Sequence, residues 1–263
     1  MVSKQTMFFM LMTIVISFGL PIGLAIYFRI KEKISIKAVG VGILVFIFAQ
    51  MILRMPLISR LSANGGFASI LESNKLMYVA FLAVTAGFFE EVCKYLGFKF
   101  FLRNKLERKN AIALGIGHSG IEAIFLVGGA MITNLMFALI INMGSFDTGV
   151  VGQMPEAQAL ALKDALINTP SYMFLLGGLE RAFVIAFQIA LTIIVLEAIV
   201  KNDKRYLIYA ILIHTLVDYI AGFNNIWVTE GIMLIVAIFS IRFIYRSKKK
   251  FNQLEELQVE PIK

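Results

Sequence analysis

The chain has 263 residues, 59% hydrophobic and 16% charged, with a mean hydropathy of +0.82. A water-soluble domain of this length carries far more charge, so lipid is the solvent for most of this one. The formal net charge of +8 comes from basic residues set between apolar runs, with no basic groove or aromatic-interleaved arm. A nucleic-acid partner is therefore excluded, and the cations act as topology determinants.

In chain order, apolar runs long enough to span a bilayer cover about 7–28, 38–55, 77–101, 111–142, 172–200, 206–222 and 228–246. The first is too long for a signal-peptide core and is read as a helix. The links after the first, third and fifth spans carry Arg29, Lys31, Lys33 and Lys37, then Lys99, Arg103, Lys105, Arg108 and Lys109, then Lys201, Lys204 and Arg205. The opposite side holds only a few cations, among them Arg54, so the N-terminus is predicted outside and the C-terminus inside. The fold class is all-α, a polytopic bundle of about seven transmembrane helices, with 1–250 as a single integral-membrane domain.

Two external links are long. Pro56, Asn64, Gly65 and Gly66 mark 56–76 as an irregular loop. In the other, Pro155 opens the run PEAQALALKDALIN, which predicts an amphipathic helix over 155–168 lying on the outer surface. Residues 251–263 are polar and predicted to be a loose cytoplasmic tail. Cys93 is the single cysteine, so no intrachain disulfide forms.

Ionisable residues inside the bilayer carry the functional signal, because each costs about 2.5–3.5 kcal/mol at a helix centre and needs a partner or a purpose. In the third span, Glu90, Glu91 and Lys94 lie together, with Lys94 angularly between the carboxylates, so one glutamate pairs with it and the other stays available. In the fourth, His118 and Glu122 share a face at i, i+4, and Gly115, Gly117 and Gly120 permit close helix approach. In the sixth, His214 and Asp218 share a face in the same way. Glu90, His118 and His214 each stand nine residues from a basic flank, Lys99, Lys109 and Arg205. At 1.5 Å per residue, all three reach one level about 14 Å from that flank. The fifth span places Glu180 and Arg181 nearer the outer surface, where opposite charges satisfy each other, and Gln188 deeper, within reach of the common level.

Taken in order, the Glu90-Glu91-x-x-Lys94 motif, the GIGHSGIE stretch ending at Glu122, the Glu180-Arg181 pair and His214-x-x-x-Asp218 resemble the YhfC family. That family is related to the PrsW proteases and, more distantly, to the CAAX prenyl protease and bacteriocin-processing superfamily. The resemblance implies an intramembrane endopeptidase, often described as a metalloprotease, acting on membrane-associated peptides or proteins in the cell membrane. Residue by residue, Glu90 matches the base that activates water, and Glu91 and Lys94 match its structural pair. His214 and Asp218 match the terminal motif that stabilises an oxyanion or holds water or metal. The related proteases have a histidine where this chain has Gln188, and a glutamine exchanges no proton near neutral pH. His118 supplies a second imidazole instead.

Two chemistries stay open at this point. Glu90 acts as a general base with histidine donors at the oxyanion, or Glu90, His118 and His214 hold a divalent metal such as zinc with a position left for water. A non-catalytic pseudoprotease that binds a membrane partner, favoured by Gln188, and a proton-coupled transporter are the competing functions.

Overall fold

The structure, a computed structural model, describes residues 1–222 and 225–259. Among the described residues the regular elements are helices, and beside a short turn of helix at Phe146–Gly149 they are α1 (Lys4–Lys31), α2 (Ile36–Ser62), α3 (Gly65–Ser73), α4 (Lys75–Phe101), α5 (Arg108–Asn142), α6 (Glu156–Asn168), α7 (Ser171–Val200), α8 (Arg205–Ala221) and α9 (Ile226–Val259). Six of these, α1, α2, α4, α5, α7 and α9, are long and apolar enough to cross a membrane. The sixth run predicted from sequence is α8, whose 17 residues sit at the short end of a spanning helix. The protein is thus an all-α polytopic membrane bundle. Phe100, Phe239 and Ile238 stand more than half exposed, as side chains meeting lipid tails do.

Seven crossings place the termini on opposite sides of the membrane, whereas six place them together. Reporter fusions at the two ends are expected to respond in opposite compartments. Fusions reporting from one compartment would remove α8 from the list of spans.

The predicted loop over 56–76 is largely helical. The second span runs on to Ser62 and α3 follows it. Pro56 does not break α2 because the preceding stretch, Ile47–Arg54, is wound as a wide π-helix. There the Met55 N–H bonds back to the Gln50 carbonyl, which relieves the crowding a proline ring imposes on an ordinary turn. At the start of α4, the Asn74 side chain caps the helix by accepting from the Met77 N–H at 3.1 Å. The predicted surface helix is α6, with Pro155 one position earlier than expected, at its N-cap. The last helix continues through Phe251, which is buried, to Val259. Residues 260–263 of the predicted tail lie outside the described residues.

The chain gathers into two compact units. One comprises Met1–Ile22 with Glu122–Ala182. Its core joins Met10, Ala138, Ile141, Phe146 and Phe174 with Ala159 and Leu166, the inner face of α6. Asn142 ties the N-terminus down, accepting from the Val2 N–H at 2.8 Å and donating to the Val2 carbonyl at 3.0 Å.

The other unit comprises Gly23–Ile121 with Phe183–Lys263. Its helices approach closely at glycines. A Cβ on Gly87 of α4 would lie 2.9 Å from the Ile211 carbonyl oxygen of α8 and against Thr215. A Cβ on Gly117 of α5 would run into the Val39 carbonyl of α2, and one on Gly115 would come 2.8 Å from the Ile189 Cα of α7. Small residues let helix backbones touch in this way, which matters in lipid because association there rests on packing and hydrogen bonds. Gly87 lies one turn before Glu90 and Glu91, and Thr215 follows His214. The closest contact of α4 with α8 therefore sets the carboxylates beside the imidazole.

Candidate functional site

Every group of the central cluster belongs to this second unit. Glu91 and Lys94, three residues apart on α4, form a fully buried ion pair at 2.7 Å. The same Glu91 oxygen, Oε1, lies 2.7 Å from His214 Nδ1 on α8. An ionised carboxylate only accepts, so Nδ1 is the donor nitrogen and His214 Nε2 points onward. It faces Glu90 Oε2 at 3.8 Å and Asp218 Oδ2 at 3.5 Å. Asp218 is 37% exposed at its side chain, whereas His214 is buried, so the pair spans the edge of the cluster.

Glu90 is buried with no lysine or arginine paired to it among the described residues, and amide and imidazole groups hold it. Its Oε2 accepts from Gln188 Nε2 at 2.9 Å and lies 2.8 Å from His118 Nε2 on α5. Its Oε1 accepts from Gln50 of α2. Gln188 on α7 bridges the two halves of the cluster, because its own oxygen accepts from Lys94 Nζ. That contact fixes the amide's orientation: the reverse would set an NH2 group against an ammonium. Ring edges steady the imidazoles, Phe46 against His118 at 5.4 Å and Phe187 against His214 at 5.9 Å between centroids. Within this cluster, two buried polar atoms have no hydrogen-bond partner among the described residues, Glu91 Oε2 and His118 Nδ1.

Four helices thus bring Glu90, Glu91, Lys94, His118, Gln188, His214 and Asp218 into one network, and α2 joins it through Gln50. Sequence reasoning set Lys94 between the two carboxylates, and the structure gives it to Glu91. Two contributors were missed. Gln50 lies on the π-helical stretch of α2, and Arg54 one turn later donates to its oxygen at 2.9 Å, to the Leu82 carbonyl at 2.8 Å and to Thr85 Oγ1 at 3.2 Å. The available signal was an amide and a guanidinium four residues apart within an apolar span. In the first unit, Arg181 pairs with Glu122 at 3.0 Å and with its neighbour Glu180, so the opposite charges predicted near the outer surface do satisfy one another.

The residues also fit a divalent ion. Glu90, Glu91 and His214 bring one ligand atom each to within 4.8 Å of one another, all buried, and Glu91 Oε2 has no other partner. Carboxylate and imidazole together are a donor set that zinc accepts. The set anticipated from sequence, Glu90 with His118 and His214, shares two members with it.

An all-helical, multi-pass membrane protein with a buried glutamate, histidine and lysine network is the class that fold and site define. Within it, the chain belongs to the YhfC family: the family model described as YhfC intramembrane metalloprotease matches residues 16–252. It is 33% identical over 259 residues to the "Uncharacterized membrane protein YhfC" of Bacillus subtilis (strain 168), an alignment covering 96% of this chain and 100% of the relative. No solved structure matches it.

Proposed function

We propose that this protein is an intramembrane endopeptidase of the cell membrane, hydrolysing peptide bonds of membrane-associated substrates, with Glu90 as the base that activates water. The observation that carries this reading is the placing of Glu90: a buried carboxylate with an imidazole donor, His118, on one oxygen and the Nε2 of a second, His214, at 3.8 Å. A general base must sit within reach of the water it deprotonates, and an imidazole beside it can donate to the developing oxyanion. Glu91 holds His214 Nδ1 and thereby turns Nε2 toward the reacting side. Lys94 neutralises Glu91, so the second carboxylate positions the imidazole without competing for the proton.

Glu90, Glu91 and His214 are the residues that would hold a divalent ion. When bound, such an ion supplies Lewis acidity and a more acidic water. The protein's own groups would still orient the water and hold its proton at the Glu90 carboxylate.

One observation favours the non-catalytic reading. Both Glu90 oxygens are engaged, by Gln50 on one side and by His118 and Gln188 on the other. Three of the carboxylate's roughly four acceptor positions are thus taken, which leaves one for a water unless a donor is displaced. Gln188 is the replaceable one, since a neutral hydrogen bond is worth about 0.5–1.5 kcal/mol. The test is cleavage of a panel of membrane peptides by the purified protein in detergent, with metal content measured alongside. Gln188→His is expected to raise turnover or metal content, because it adds an imidazole at the Glu90 oxygen. A wild type and a Gln188→His variant that are equally inert, while the wild type still captures a membrane partner, would establish the pseudoprotease.

A further inference from the structure

Beside the polar network, on the lipid side of α2 and α4, lies a separate apolar cavity of about 370 Å3. Its walls are Val41, Leu44 and Phe48 of α2 and Cys93, Leu96 and Phe100 of α4. These recur at i, i+3 and i+7 on both helices, so each contributes one straight stripe. The floor is buried, with Cys93 4% and Val41 6% exposed, while the rims at Leu44 and Phe100 are each 63% exposed. A flat lipid-facing surface has no such floor. The volume falls within the range of built small-molecule sites, about 300–1,000 Å3.

One end of this groove is basic. Lys37 lies one turn before Val41 on the same stripe of α2 and is exposed. Lys99 is exposed on α4, with its Nζ 5.9 Å from the centroid of the lining Phe100 ring. The two basic helix ends are neighbours, because Lys105 beyond α4 reaches Ser35 before α2 at 3.4 Å. The carboxylates of the adjoining links are already engaged, Glu32 by Arg108 and Glu107 by Lys109. An apolar channel ending in unneutralised cations matches a molecule with a long hydrocarbon tail and an anionic head.

We propose that the groove between α2 and α4 binds an anionic phospholipid, with an acyl chain against Val41, Leu44, Phe48, Cys93 and Leu96 and the phosphate at Lys37 and Lys99. The assignment stands whether or not the protein cleaves peptides. It also bears on the site, since Gln50 and Cys93 place the groove and the Glu90 network on the same two helices. A filled groove would hold α2 and α4 at the spacing across which Gln50 donates to Glu90.

Cys93 is the chain's single cysteine and lines the groove, so it reports occupancy without engineering. The full-length protein is placed in nanodiscs of phosphatidylcholine, alone or with phosphatidylglycerol, and the rate of Cys93 alkylation by N-ethylmaleimide is followed by mass spectrometry. Native mass spectrometry counts retained lipid in parallel. Phosphatidylglycerol is expected to slow alkylation several-fold and to remain bound, and the paired surface changes Lys37→Gln and Lys99→Gln should abolish both effects. Equal rates in the two membranes with no retained phosphatidylglycerol overturn the proposal. Equal protection by both lipids overturns the headgroup assignment, and protection only by an added apolar transmembrane peptide gives the groove to a protein helix. If Cys93 stays unlabelled throughout, retained lipid decides: phosphatidylglycerol bound to wild type and lost from the lysine variants supports the site, and any other pattern rejects it.

Discussion

Glu90→Gln is expected to lower peptide cleavage by about 10²- to 10⁴-fold, the range associated with losing a general base, while the protein still inserts and purifies as the wild type does. The substitution keeps the size of the side chain and retains acceptance at one oxygen, so contacts with His118, Gln188 and Gln50 are partly preserved. What disappears is the proton acceptor. Turnover with a panel of membrane peptides measures this, and KM distinguishes the cause. A lost base lowers kcat with KM little changed, whereas a collapsed pocket alters both. Cleavage at wild-type rate by Glu90→Gln would remove Glu90 from the chemistry.

The second large effect concerns the stability of the network. Lys94→Met takes the ammonium from a fully buried Glu91 carboxylate, which keeps its His214 contact, and also takes a donor from Gln188. Removing one partner of a buried ion pair costs about 3–5 kcal/mol, because the remaining charge is desolvated and uncompensated. Combining it with Glu91→Gln removes that carboxylate charge, and the double variant is expected to recover much of the loss. The measurement is the thermal midpoint in detergent, which should fall by on the order of 10 °C for Lys94→Met and return part of the way in the double variant. If the double variant is as unstable as the sum of the two single changes, the pair is not the unit of stability drawn here.

The network also bears on how a weakened protease and a binding protein differ. Gln188 touches both the proposed base and the ammonium that neutralises its neighbour. An imidazole in its place would keep one of those contacts and add a titratable group. The Gln188→His variant therefore distinguishes chemistry from packing more sharply than a truncation to alanine.

Much of this was legible in the sequence because lipid makes polar residues conspicuous. Apolar runs gave the helices, since a spanning segment must satisfy its backbone within itself. Glu90, His118 and His214 stood out because each ionisable group inside a membrane is costly, and counting from the basic flanks set them at one depth. The i, i+4 spacing of His214 and Asp218 put both on one face of α8, where they lie 3.5 Å apart. What sequence could not decide was which residues of different helices meet. Arg54 was read as one of the external cations and Gln50 was not singled out, and only the crossing of α2 with α4 makes Gln50 a hydrogen-bond donor to Glu90. Lys94 lay between Glu90 and Glu91 by helical angle, and the imidazole of α8 and the amide of α7 settle it on Glu91. Helix periodicity fixes the face a side chain takes on its own helix, but the partner on that face depends on where small residues such as Gly87 and Gly117 let backbones approach, which is a property of packing in three dimensions.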